Sequence, residues 1–421
     1  EPGALFVPII GQKTDAHQYI QQTFDKGAVA ALTQEHTSME DSAHCWIYVE
    51  QTQDALQQIA TVYRNQFQVP VVGVTGSVGK TSTREMIALA LSAEKNVMQT
   101  KGNSNSQIGL PLTMFQFEKE HTAAVIEMGI SEFGEMERLV HIAQPNYAVV
   151  TNIGIAHIEQ LKTREHIMHE KLKIADAFDE YSIMFLNGDD EMLASICETT
   201  TLPVVYYGTQ PWCTYRAEDI QTDGMKTTFT VHTPTYTSKV TLPVLGIHNV
   251  LNALATIAVC HHMGLSIEEI AEGFKVFSGT KRRFQTKFRN ENVWIVDDYA
   301  HHPTEIQTTI KAAKQTNPKR LIVAFQPHRY SRTQLLQKEF GSCFVGADVL
   351  VLTDIYAASE DPIEGISGKT IVDEVKKQTG VDAIYIEKLE DIAPWLKENI
   401  QAGDLIITMG AGNIYTVGEN L

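Results

Sequence analysis

The stretch VVGVTGSVGKTSTREMI, residues 71–87, limits what this chain can become more than any other: an apolar strand runs into a glycine turn and out into a helix. Gly76 and Gly79 let backbone N–H groups approach phosphate oxygens, and the helix that follows offers its positive N-terminus to them. The plain phosphate-loop motif wants glycine where Val74 stands, so the match is physical rather than literal. Lys80 is set to reach the β- and γ-phosphates, and the Thr81 hydroxyl to ligate Mg²⁺. We read Gly76, Ser77, Gly79, Lys80, Thr81 and Ser82 as a nucleotide-phosphate site that takes Mg²⁺. A merely structural turn is the plainer reading, and the strand-to-helix context weighs against it.

Around that loop the chain alternates strand and helix, which implies α/β folding with mostly parallel sheets. At 421 residues it exceeds one ordinary core, so several domains are expected. GALFVPIIG followed by a helical DAHQYIQQTFDKGAVAALT forms a small α/β unit, 1–68. The central P-loop domain, 69–279, carries strands at AAVIEMG, YAVVTNIG and SIMFLNGD. It also holds a Thr- and Val-rich β-hairpin insertion between about 212 and 245. HNVLNALATIAVCHHMG and SIEEIAEGFKVF read as helices. SGTKRRF, 278–284, reads as a hinge. The apolar strands RLIVAFQP, VLVLTDIY, AIYIE and DLIITMGAG then build a Rossmann-like α/β domain, 280–421.

A net charge of −17 argues against nucleic-acid and anionic-membrane partners. Five scattered cysteines without a C-x-x-C pair read as reduced thiols, and no apolar run is long enough to span a bilayer. A cytoplasmic monomer is the expectation. Three further residues are ambiguous one at a time. Glu127 closes the strand AAVIE and could hold a metal or be a solvated carboxylate. His157 follows the strand of VTNIGIAH and could be packing. Lys171, on a helix, could simply face water.

Together these segments resemble the Mur ligase family, which builds the peptide stem of cell-wall precursors. GVTGSVGKTSTREMI, TKGNSNSQIGLPLT, VIEMGISEFGEM, TNIGIAHIEQL and the opening GALFVPIIGQKTDAHQYI look like the subfamily that adds D-alanyl-D-alanine to UDP-N-acetylmuramoyl-tripeptide. The resemblance implies ATP-driven amide synthesis through an acyl phosphate. It implies catalytic roles for Lys80, Glu127, His157 and Lys171, with Mg²⁺ held by Thr81, Glu127, His157 and Lys171 if carbamylated. It places Asn249, Asn252, Arg283 and Asp298 on ATP. Asp15, His17, Asn103 and Asn105 fall to the substrate, the first domain being that subfamily's uridine-binding unit.

GTKRRFQ, DDYAHHPTEI, FQPHRYSRT and MGAGNIYTVG instead look like the subfamily that adds L-alanine to UDP-N-acetylmuramate. By that resemblance His301, His328, Arg329 and Arg332 hold the acceptor. The donor is then a UDP-N-acetylmuramoyl-peptide and the acceptor D-alanyl-D-alanine or a single small amino acid. The alternative is the L-alanine ligase. An amide ligase outside the cell wall and a non-catalytic P-loop nucleotide switch are the further rivals. The basic cluster at 328–332 speaks against the switch, which has no need of an acceptor pocket. A dinucleotide oxidoreductase fails because the third fingerprint glycine of MGAGN would fall at Tyr415.

Overall fold

Strand Val71–Thr75 and helix Lys80–Leu91 flank the glycine turn in the computed structural model, which describes residues 2–11, 13–35 and 44–421. Contacts divide the chain into two compact units, each assembled from separate stretches. The first takes Glu1–Thr75, Lys95–Ala148 and Glu170–Ile183; the second takes Gly76–Glu94, Val149–His169 and Met184–Leu421.

The first unit opens with a parallel three-stranded sheet in the order Leu5–Phe6, Ala30–Thr33, Cys45–Tyr48. Ile20, Phe24, Ala28 and Ala31 pack its core, with Phe6 and Trp46 against them. The helical run read through residue 33 stops at Asp25, because Gly27 takes φ +99° and turns the chain into the strand Ala30–Thr33. Further along, Val71–Thr75 and Val97–Gln99 both pair in parallel with Ala123–Glu127. Val71–Thr75 and Ala123–Glu127 are buried throughout, which explains their unbroken apolar runs.

In the second unit the strand Ile183–Asn187, from Met184 onward, Val204–Gly208 and the start of Tyr215–Asp223 pair in parallel. Tyr215–Asp223 then continues antiparallel with Lys226–His232, and that strand with Thr237–Leu242. The insertion is therefore a three-stranded meander rather than the single hairpin expected, since its first strand lies upstream of the Thr-rich run. Helix Ile247–His262 buries ten residues, among them Asn252 and Thr256.

The last sheet runs Gln285–Arg289, Val293–Asp298, Asp404–Met409, Arg320–Phe325, Val349–Leu352, Asp382–Tyr385, parallel except for its first pair. Apolar clusters built around Ile306, Phe325 and Phe340 and around Ile322, Ile392 and Ile406 complete its core. Its three central strands send the segments at 298–302, 326–332 and 410–413 from their C-terminal ends, where ligands of such sheets bind.

The segment at 278–284 has no regular structure, and Gly279, Arg282 and Phe284 all take positive φ. Its two halves are tied to different elements. Thr280 Oγ1 bonds Ser82 Oγ at 3.1 Å and donates to Glu85 Oε2 at 2.7 Å. Arg282 donates to Asp297 and to the Gly410 carbonyl, and lies over the rings of Tyr299 and Tyr415 at 5.0 and 4.7 Å. No helix among the described residues is long and apolar enough to cross a membrane.

Candidate functional site

The glycine turn is built as a cradle from the second unit's own residues. Ser77 N donates to the Asn152 carbonyl, Val78 N to Asn152 Oδ1, and Gly154 N to Ser77 Oγ. Thr151 Oγ1 donates to the Val78 carbonyl at 2.6 Å. The Lys80 ammonium folds back on the turn, donating to the carbonyls of Gly76 and Ser77 at 2.9 and 3.2 Å. Gly76 has φ +140°, and a Cβ there would stand 1.9 Å from Thr151 Oγ1. Gly76→Ala is accordingly expected to strain the turn by ~1–3 kcal/mol and weaken ATP binding about tenfold. Titration with a fluorescent ATP analogue checks this; unchanged affinity would mean that the turn does not hold the phosphates.

Beside the cradle is a cavity of about 330 Å³, large enough for a small ligand. Gly79, Thr81, Ser82, Asn249 and Asn252 line one part of it. Arg283 and Asp298, from beyond the irregular 278–284 segment, line another. All of these were assigned to ATP from the sequence. Asn252 Oδ1 accepts from Thr83 Oγ1, and Asn252 Nδ2 donates to Asn249 Oδ1, so the two asparagines are held as a pair. Asp298 accepts the backbone N–H groups of Phe284 and Ala300. Burial pushes its carboxyl up to about 6 against the pull of Arg283 and of those two bonds. His248 also lines the cavity; burial, with the Arg283 charge, pushes its imidazole down to about 4.

Next to it lies a basic and aromatic group. Arg332 Nη1 donates to the His328 carbonyl at 3.1 Å and lies 3.2 Å from His328 Nδ1. His328 stacks on Tyr356 with centroids 5.5 Å apart, and His301 meets its edge at 5.7 Å. Arg329, with φ +74°, faces Glu360 at 3.8 Å. Burial lowers His301 and His302 to about 3 and His328 to about 4, so all three imidazoles are neutral at physiological pH. His302 senses the charge of Lys80, and Arg332 that of Glu159. His157, also in this unit, caps the short helix Ile158–Leu161 with φ +62°.

The first unit holds the remaining assigned residues. Glu127 ends its strand buried, not solvated, and its Oε1 accepts Asn105 Nδ2 at 2.8 Å. Lys171 is likewise only 2% exposed, which excludes the surface reading of that lysine. Asn103 lies in an exposed loop, where its carbonyl accepts Asn105 N. Asp15 Oδ1 accepts both the backbone N–H and Nδ1 of His17, whose Nε2 accepts Gln34 N. With both ring nitrogens engaged, the Asp15–His17–Glu35 cluster does not fit a metal. Of the opening stretch read as uridine-binding, Gln12 lies outside the described residues.

Sequence reasoning passed over His248, His302, Glu305 and Tyr356. The pair His302–Glu305 had a legible signal: proline at the first helical position with glutamate two residues on marks a helix start.

Residues 74–260 match the Mur ligase middle domain, and residues 282–412 the Mur ligase glutamate ligase domain. A UDP-N-acetylmuramate–L-alanine ligase of Desulforamulus reducens is 37% identical over 355 residues, 83% of this chain and 74% of that protein. MurF from Acinetobacter baumannii covers the whole chain and 91% of its own with a TM-score of 0.88, at 24% identity. The MurF ligase of Thermotoga maritima, solved with ADP, covers the whole chain and 93% of its own at 25% identity and a TM-score of 0.81. The α/β class with mostly parallel sheets expected from sequence is the fold of these structures.

Proposed function

Because the chain belongs to the Mur ligase family, ATP-dependent ligases of peptidoglycan precursor synthesis, we propose that it joins L-alanine to UDP-N-acetylmuramate. The observation that carries this is the group of His301, His328, Arg332 and Tyr356, an arginine-backed anion site with aromatic walls suited to a small amino acid. The relative of 37% identity, named for that activity, supports the same choice. This is the second of the two readings drawn from the sequence. A tripeptide donor with D-alanyl-D-alanine remains a second reading, favoured by the full-length likeness to MurF at 25% identity.

In the proposed reaction the donor carboxylate attacks the γ-phosphorus of ATP and ADP leaves; the acceptor amine then displaces phosphate to give the amide. Lys80 and Arg283 neutralise the transferring phosphoryl group, and Asn249, Asn252 and Asp298 hold the nucleoside. We assign the donor to Asp15, His17, Asn103 and Asn105. For magnesium, the Thr81 hydroxyl would hold the cation beside the phosphate turn, and Glu127, His157 and carbamylated Lys171 are the further donors that the family resemblance implies. Bound, it would supply positive charge to the phosphate oxygens. The domains in this reading are 1–68 for the donor nucleotide, 69–279 for ATP and 280–421 for the acceptor, working as a cytoplasmic monomer.

A matrix of ADP release over donors and acceptors tests the proposal. UDP-N-acetylmuramate with L-alanine is expected to give a kcat/KM at least about tenfold above any other pair, a difference of ~1.4 kcal/mol. Turnover confined to the tripeptide donor with D-alanyl-D-alanine would replace it by the second reading. ATP hydrolysis indifferent to every acceptor would favour the switch.

A further inference from the structure

Glu305 stands between the nucleotide cavity and the acceptor group. It lies in the first turn of helix Pro303–Lys314, buried, and lines the cavity. Its Oε2 accepts the backbone N–H groups of His301 and His302 at 3.1 and 3.2 Å, and lies 3.4 Å from His301 Nδ1. Its Oε1 faces Arg283 Nη1 at 3.8 Å. Helix capping explains the two amide bonds. It does not explain why a capping carboxylate is buried between a guanidinium on one side and an imidazole on the other. Burial raises its carboxyl, but the Arg283 charge and the backbone N–H of His301 oppose that, and it lies below the usual carboxylate range. It is therefore a fixed negative charge at working pH.

We propose that Glu305 is a positioning residue through which nucleotide and acceptor binding are coupled, an inference that rests on the ligase reading above. At 3.8 Å the Arg283 contact is an ion pair without a close hydrogen bond, so a phosphate can draw the guanidinium away at small cost. The carboxylate then acts on His301 alone and fixes the ring, whose Nδ1 also lies 3.0 Å from the Tyr299 carbonyl. An acceptor seated on His301 meets a ring already held. Coupling of this kind is reciprocal by linkage, so the acceptor tightens nucleotide by the same factor.

The test is the KM for L-alanine at limiting and at saturating ATP, with UDP-N-acetylmuramate as donor. In the parent protein it should fall at least about fivefold as ATP saturates. Glu305→Gln, which keeps an accepting oxygen and removes the charge, should flatten that change to within about twofold. A variant that loses kcat or thermal stability yet keeps the ATP dependence would overturn the proposal, as would a parent protein with none. Should Glu305→Gln fail to fold, Glu305→Asp keeps the charge one methylene further back, and an intermediate dependence is expected; an undiminished one overturns the idea. Turnover with uncoupled KM values removes the coupling alone, whereas no turnover with any muramoyl donor removes the ligase reading and the coupling with it.

Discussion

Lys80→Ala is expected to lower kcat for ADP release about 10³-fold, with a smaller rise in the KM for ATP. The ammonium rests against the carbonyls of Gly76 and Ser77, at the centre of a turn whose N–H groups and following helix already favour phosphate. Ground-state binding is therefore shared with the turn and with Arg283 across the cavity. The charge that grows during phosphoryl transfer is what a single lysine at this point can answer, so the loss belongs mainly to kcat. Steady-state ADP release under the best donor and acceptor measures both constants. A loss smaller than tenfold would separate Lys80 from the transferring group.

Acidification is expected to destabilise the fold steeply, by about 4 kcal/mol between pH 7 and pH 5. His248 is held at about 4, and His301 and His302 at about 3, each from 6.5 and each chiefly by burial. In the unfolded chain these imidazoles take up protons below pH 6.5, while in the folded chain they do not. The unfolded state therefore binds more protons, and the stability present above pH 6.5 is lost as pH falls. Each ring contributes about 2 kcal/mol by pH 5. Asp298 acts in the opposite sense, since its folded value of about 6 lies above the ordinary 3.8. It recovers about 1 kcal/mol over the same interval. Thermal midpoints at the two pH values read the net effect, and an equal or higher midpoint at pH 5 would show that the three rings are not buried neutral.

The glycine turn between strand and helix was legible because its signals are local: glycines, lysine and hydroxyls stand within a few residues of one another. The parallel strands were legible from unbroken apolar runs. The meander was not read in full, because Tyr215–Asp223 turns polar after its first residues and is exposed along its second half. Arg282 and Arg283 show a different limit. Adjacent and chemically identical, they part company because φ +59° at Arg282 sends that side chain to Asp297 and the Gly410 carbonyl, leaving Arg283 to the cavity. Nothing in the letters KRRF separates the arginine that struts the fold from the one that lines the cavity. Glu305 was missed for a related reason: as a capping glutamate it has a sufficient local purpose beside His301 and His302, and only the folded chain brings Arg283 to it.

The first compact unit draws on three stretches of chain, and its last one, Glu170–Ile183, comes after a long excursion into the second. During synthesis, at roughly 5–20 residues per second, its first two stretches, Glu1–Thr75 and Lys95–Ala148, must wait for that closing piece before their packing is complete. A ribosome that stalls inside the excursion leaves apolar strands such as Val71–Thr75 and Ala123–Glu127 without their final cover, a nascent chain for chaperones to shield rather than a half-built enzyme that can stand alone.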